Sequence, residues 1–119
     1  YKLKPGDTYP QANHPVVIAH PETGKPVLFV NQPFTSHINE LNRIESDALL
    51  NLLYRHIEKN TRFHCRVKWQ ENTVVLWDNR AVHHHAIWDY YPESRTGERV
   101  TVKQPNAPVA YKDTQEKTA

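Results

Sequence analysis

The sequence predicts a mainly β fold of the antiparallel sandwich or jelly-roll class, with one amphipathic helix packed on it. Three observations predict it. About six segments have the composition or alternation of strands, one segment has helical periodicity, and most connections between them are short. So few strands cannot close such a fold alone, and an isolated half would present unpaired strand edges. We therefore expect a partner segment on the N-terminal side.

The first predicted elements form a hairpin with a long turn. Residues 14–19 and 27–31 are predicted strands because β-branched and other apolar residues dominate them. Residues 21–26 contain two prolines and a glycine, which favours a turn.

The next element is the helix. Apolar residues recur at helical spacing: Ile44, Ala48, Leu49, Leu52, Leu53 and Ile57. Asn42 and Glu45, three positions apart, form a predicted capping box. We therefore predict a helix over residues 43–59.

Four further strands are predicted after the helix, at residues 62–69, 73–77, 81–87 and 98–103, with a polar turn at residues 70–72. Residues 104–119 are proline-containing and polar, which indicates a surface-bound or disordered tail. The expected division is a folded part at residues 1–103 and a polar tail at residues 104–119.

Composition excludes several classes of function. A formal net charge of +2 with scattered basic residues argues against nucleic-acid binding, and no apolar run is long enough for a membrane span. The single cysteine, Cys65, excludes an internal disulfide and suits a reducing compartment such as the cytoplasm. Its alternating neighbours predict a buried strand cysteine rather than a nucleophile. The chain begins at Tyr1 and has no methionine, so we expect that an upstream segment is missing.

Residues 77–86 contain a dense group of aromatic, charged and imidazole side chains that could take part in binding or catalysis. Side chains alternate along a strand, so His84 would point to one face with Val82 and Ala86, and His83 and His85 to the other. The small apolar neighbours predict that His84 faces inward. An inward histidine is either a hydrogen-bonded core residue or a metal ligand, and the pattern alone leaves both open.

Two arginines follow this histidine group. If the chain turns near Tyr90, Gly97 lies opposite His84, and Arg95 and Arg99 become its diagonal neighbours at about 7–8 Å. Buried guanidinium groups need anionic partners. Structural salt bridges or bound ligand anions could supply them.

Several motifs together resemble the C-terminal half of the taurine dioxygenase family. The matching runs are His14-Pro15-Val16-Val17, His20-Pro21-Glu22-Thr23-Gly24, Leu28-Phe29-Val30-Asn31, Phe34-Thr35, Glu45-Ser46-Asp47-Ala48-Leu49-Leu50 and Trp77-Asp78-Asn79-Arg80. The resemblance extends from about residue 13 to residue 102. It implies a double-stranded β-helix (jelly roll), present here as an incomplete C-terminal half within residues 1–103.

The resemblance also implies a site. Such enzymes bind iron(II) through a His-x-Asp pair and a distal histidine, and the distal histidine corresponds to His84. Arg95 corresponds to the arginine that binds the cosubstrate 2-oxoglutarate, and Arg99 to the one that faces the substrate's anionic group. Phe34 corresponds to a substrate-contacting residue and Trp77 to a pocket wall. No catalytic residue separate from the metal site is implied.

The chain departs from the family in one respect, because it contains no His-x-Asp. His20-Pro21-Glu22 lies in a predicted turn, and His56-Ile57-Glu58 lies on the predicted helix, where positions i and i+2 diverge. Neither suits the missing pair. The other two iron ligands are expected from the N-terminal half of the same enzyme.

The implied function is an Fe(II)- and 2-oxoglutarate-dependent dioxygenase that uses O2 to hydroxylate a small anionic substrate. Taurine or another alkylsulfonate is the first expectation, with release of sulfite, succinate and CO2. An alkyl sulfate ester or an aryloxyalkanoate is the alternative substrate. A catalytically silent β-domain that serves as a binding module is the alternative from another class, and a homo-oligomer is compatible with either.

Overall fold

The structure, a computed structural model, describes Lys4 and residues 6–113 of the chain. Its elements are β1 (Val17–Ala19), β2 (Pro26–Leu28), α1 (Arg43–Lys59), a short 3-10 turn (Thr61–Phe63) and β3 (Val109–Ala110). The strands form one antiparallel sheet in the order β2-β1-β3.

The predicted hairpin is present, with shorter strands than expected. Val17 pairs with Leu28 and Ala19 with Pro26, and one further bond from the Phe29 N–H to the Val16 carbonyl (2.7 Å) extends the pairing. Pro26 is tolerated because β2 is an edge strand. Gly24 has φ 68°, which favours glycine in the turn.

The helix has the predicted bounds, and its capping box is confirmed. The Asn42 side chain accepts from the Glu45 N–H (3.0 Å), and the Glu45 carboxylate accepts from the Asn42 N–H (3.2 Å). Leu50 packs with Val30 and Ile38 in the core between the helix and the segment after β2. Ser46 on α1 is fully buried and accepts a hydrogen bond from the Ile38 N–H (2.9 Å).

The third strand comes from the segment predicted as a polar tail. Ile18 pairs with Ala110, and Ala19 with Val109. The Tyr111 N–H donates to the Val17 carbonyl at 3.1 Å. Part of this segment is therefore paired with β1, which becomes the central strand of the sheet.

The four strands predicted after the helix are not formed in the part of the chain that the structure describes. Residues 62–69, 73–77, 81–87 and 98–103 have no ladder partners there, although the turn between the first two is present, with Asn72 at φ 61°. A strand forms only beside another backbone with which it can exchange hydrogen bonds, whatever its own alternation. The prediction of a buried Cys65 is likewise wrong, because without a strand its thiol is exposed.

The described fold is therefore a three-stranded sheet with one helix, compatible with a mainly β or α+β fragment. The radius of gyration is 17.9 Å, whereas a compact domain of this length has about 13.5 Å. Large apolar side chains remain exposed after the helix: Val74, Leu76, Trp88, Tyr91, Val100 and Val102 are each 82–95% exposed. Within the described residues, no helix combines the length and apolar character that crossing a membrane requires.

Candidate active-site residues

A tight turn brings Trp77 and His84 together. The N–H groups of Ala81 and Val82 both donate to the Asp78 carbonyl at 3.0 Å, which reverses the chain between the two rings. The ring centroids of Trp77 and His84 lie 4.8 Å apart with an interplanar angle of 43°. The indole N–H donates to Asn79 Oδ1 at 2.7 Å and fixes the orientation of Trp77.

The three histidines do not separate into an inner and an outer face. His83, His84 and His85 are all exposed, because the predicted strand that would have sorted them is absent from the described chain. Among the described residues, no group of three or more metal-binding side chains converges. The described residues therefore do not form a complete iron triad, and His84 is the one ligand position that the resemblance assigns to this chain.

The two arginines lie on the surface of the described chain. Arg95 is stacked on Tyr90, with its guanidinium carbon 5.3 Å from the ring centroid, and Trp88 stacks on the same tyrosine at 6.2 Å. Arg99 is exposed, and within residues 6–113 neither arginine forms an ion pair with a carboxylate. The predicted register opposite His84 is not formed. The described part thus contains no structural salt bridge that would account for the pair.

Phe34 lies in a turn after β2. The Asn31 side chain accepts from the Phe34 N–H at 3.0 Å, and the Asn31 carbonyl accepts from the Thr35 N–H at 2.9 Å. The Phe34 ring is 88% exposed and makes no ring contact with another described residue. Of the residues assigned by the resemblance, the structure therefore brings only Trp77 and His84 into contact.

Sequence reasoning missed a polar network next to these residues. Asp78 Oδ2 lies 3.0 Å from Nε2 of His20, a histidine that is only 9% exposed and follows β1. The Arg80 guanidinium holds both oxygens of Asp78, with Nε to Oδ1 at 2.8 Å and Nη2 to Oδ2 at 2.7 Å. Arg80 Nη1 also lies 3.6 Å from Glu22 and donates to Gln104 at 3.4 Å.

This network perturbs the ionisation of its acid and its base. Hydrogen bonds from the Arg80 side chain and backbone N–H, with a further one from His20, hold the pKa of Asp78 well below its usual range. The same carboxylate raises the pKa of Arg80 above its ordinary value. Both side chains are therefore charged at neutral pH and face each other as an ion pair. An Asp-x-Arg spacing is the only sequence signal for it, and nothing local indicates His20 as the third member.

Comparisons with known proteins give the family context. The profile of the taurine catabolism dioxygenase TauD, TfdA family matches residues 1–101. A protein of Schizosaccharomyces pombe named a putative alpha-ketoglutarate-dependent sulfonate dioxygenase is 45% identical over 69% of this chain. An alpha-ketoglutarate-dependent sulfonate dioxygenase of Saccharomyces cerevisiae is 44% identical over 74% of it. An alkylsulfatase of Acinetobacter baylyi is 38% identical over 77% of it.

The chain matches only a part of each relative's own length. The chain covers 21%, 22% and 28% of these three relatives' own lengths, respectively. No solved structure matches the chain significantly. The family profile nevertheless spans most of the 119 residues, including His84, Arg95 and Arg99. The chain therefore belongs to the taurine catabolism dioxygenase TauD, TfdA family.

Proposed function

We propose that the complete protein is an Fe(II)- and 2-oxoglutarate-dependent dioxygenase, and that this chain is the C-terminal half of its jelly roll. The observation that carries the proposal is the family match over residues 1–101, a range that includes His84, Arg95 and Arg99. The relatives named above as alpha-ketoglutarate-dependent dioxygenases support the cosubstrate. Cytoplasmic location is part of the proposal, and the lone exposed thiol of Cys65 is compatible with it.

The chain would contribute one of three iron ligands, His84. A His-x-Asp pair from the N-terminal half would contribute the others, because no group of three or more metal-binding side chains converges among the described residues. Bound iron and 2-oxoglutarate would supply the activation of O2 for hydroxylation of a substrate C–H bond. The Trp77 ring would shield one side of the His84 imidazole and form part of the pocket wall.

The two arginines would bind the two anions. Arg95 would bind the distal carboxylate of 2-oxoglutarate, and Arg99 the sulfonate or sulfate group of the substrate, since a guanidinium matches the geometry of such groups. Neither side chain has a carboxylate partner in the described chain, so both remain available for ligands. Phe34, exposed on its turn, would contact the substrate's organic part.

The proposed substrate is taurine or another alkylsulfonate, whose hydroxylation at the sulfur-bearing carbon would release sulfite alongside succinate and CO2. Two of the relatives bear sulfonate dioxygenase names, which supports this class. The alkylsulfatase and a Pseudomonas putida sulfate ester dioxygenase, 34% identical, support an alkyl sulfate ester as the second candidate. An aryloxyalkanoate resembles these two candidate substrates only in its terminal anionic group, so it ranks below them.

The N-terminal half of the same enzyme is the proposed partner of the exposed apolar segments after the helix. The residues concerned, Val74, Leu76, Val100 and Val102, lie in chain with strand-like composition that has no partner in the described part. Pairing with further strands would satisfy their backbone groups and bury these side chains.

Mass measurement and sequencing of the intact polypeptide, followed by assays of succinate formation with taurine and with an alkyl sulfate, test the function. An upstream His-x-Asp and iron-dependent succinate formation are expected. An intact polypeptide without that pair would instead identify the chain as a silent binding module.

A further inference from the structure

We propose that His20 is a positioning residue for His84, acting through Asp78. The inference rests on the proposed function, because it gives His84 the role of a metal ligand. His20 directly follows β1 and is far from His84 in sequence. Through Asp78 it would fix the orientation of the turn that precedes the His84 segment.

The turn after residue 76 presents two sets of side chains. Trp77 and Asn79 contact each other, and Trp77 contacts His84. Asp78 and Arg80 instead pair with each other and contact the hairpin. The turn is therefore held on one side by the hairpin and touches the candidate ligand on the other.

The contact between His20 and Asp78 has a defined direction. Nδ1 of His20 accepts hydrogen bonds from the backbone N–H groups of Glu22 (3.2 Å) and Thr23 (3.3 Å), so that nitrogen carries no proton. The ring proton is therefore on Nε2, which donates to Asp78 Oδ2. Because the ring is largely buried and bonded at both nitrogens, it holds Asp78 at a fixed position relative to β1.

Asp78 is fully engaged as an acceptor. Besides His20, its oxygens accept from the backbone N–H of Arg80 at 2.9 Å and from the Arg80 guanidinium. This occupancy argues against a second reading in which Asp78, close to His84 in sequence, is itself an iron ligand. Its carbonyl also receives the two backbone bonds that close the turn. Any displacement of Asp78 is therefore transmitted to the start of the His84 segment.

A second link strengthens the attachment to the hairpin. Arg80 reaches Glu22, two positions after His20, so the hairpin turn holds the Asp78–Arg80 pair at two points. Without the His20 link, Asp78 and Arg80 would still bind each other locally. They would, however, no longer be fixed against β1, and the His84 imidazole would be less well oriented for a metal.

The test compares two substitutions of His20 in the complete protein. His20→Asn keeps an acceptor near the Nδ1 position for the turn but is too short to reach Asp78. His20→Gln keeps a donor near the Nε2 position that can reach Asp78. Affinity of the metal-free protein for Mn(II) is measured by calorimetry, well below the midpoint of thermal unfolding of each variant.

His20→Asn is expected to weaken Mn(II) binding about 10-fold, in the range seen for residues that orient metal ligands, while His20→Gln restores most of the affinity. Asp78→Asn, which is isosteric and so should preserve the fold, is a second variant and should also weaken binding. Asp47→Asn removes the charge from a comparable pair on the solvent-facing side of α1, Arg43 Nε to Asp47 Oδ2 at 2.9 Å, and should leave Mn(II) affinity unchanged.

Wild-type Mn(II) affinity in His20→Asn or in Asp78→Asn would overturn the proposal, and so would equal weakening by His20→Gln and His20→Asn. A purely structural role would lower the unfolding midpoint without changing the affinity. His84→Ala is measured in parallel. If that variant keeps its Mn(II) affinity, the proposed function itself is wrong, whereas loss there with no effect at His20 rejects only the positioning role.

Discussion

The indole of Trp77 packs against the imidazole of His84, with 4.8 Å between ring centroids, and Asn79 holds the indole in place. This contact singles out one of three consecutive histidines. His83 and His85 make no ring contact with another described residue.

Substitution of the three histidines tests this distinction. His84→Ala in the complete protein should abolish iron-dependent succinate formation, because one of three iron ligands is lost. His83→Ala and His85→Ala should have mild effects and serve as matched controls for the loss of an imidazole. Retained turnover in His84→Ala would reject the assignment.

Substitution of the arginines should separate the two anions. Arg95→Gln is expected to weaken 2-oxoglutarate binding by about one to two decades, the equivalent of roughly 1.5–3 kcal/mol for a charge-assisted bond. Arg99→Gln should instead raise the apparent constant for the sulfonate and uncouple 2-oxoglutarate decarboxylation from substrate oxidation. Both constants are measured in both variants of the complete enzyme. Swapped effects, or equal loss of both ligands, would contradict the assignment of roles.

The isolated chain of 119 residues should neither close a jelly roll nor turn over 2-oxoglutarate. Its segments after the helix expose apolar side chains and have unpaired backbone in the described part, which favours aggregation. Size-exclusion chromatography, denaturant unfolding and a succinate assay check this. A monomeric, cooperatively unfolding and active fragment would refute it.

Acid should weaken the network around Asp78. The folded-state pKa of Asp78 lies below its unfolded value, so its contribution to stability is complete above the unfolded pKa. That contribution is lost progressively as the pH falls below about 4 toward the depressed folded pKa. The thermal midpoint of the complete protein, measured from pH 6 to pH 3, should fall less in Asp78→Asn than in the wild type. Parallel curves for the two proteins would show that this pair does not govern the acid response.

The helix should depend on its buried face. Leu50 is 4% exposed and packs against Val30 and Ile38, so Leu50→Ala in the complete protein should cost about 2–5 kcal/mol in the free energy of unfolding. Leu52 on the same helix is 64% exposed and provides the control, for which a much smaller loss is expected. Denaturant unfolding measures both, and equal losses would show that the described core is not the one that stabilises the helix.

Elements that depend on residues close together along the chain could be predicted from the sequence, whereas elements that depend on distant partners could not. The helix was predicted with its bounds and its cap because Asn42, Glu45 and the apolar spacing all act within a few residues. The hairpin was predicted because its strands and turn are contiguous. The strands after the helix were not found in the described chain, because pairing depends on a partner that alternation cannot supply.

The contacts of the candidate site show the same difference between local and distant interactions. Trp77 and His84 were singled out by resemblance, and a local turn brings them together. The link between His20 and Asp78 joins residues 58 positions apart, and only the fold shows it. The roles of all five residues, His84, Trp77, Arg95, Arg99 and Phe34, remain predictions.

The position of β3 beside β1 determines the order in which the strands can pair while the chain is being synthesised. The ribosome releases the hairpin partner of Ile18, Val27, after only a few more residues, but its other partner, Ala110, emerges only after the helix and the residues that follow it. Closing so long a loop is slower than closing a hairpin. The central strand β1 therefore has one unpaired edge until β3 has been synthesised. During that interval the open edge has the unpaired N–H and C=O groups that make exposed strand edges prone to pairing with a strand of another chain.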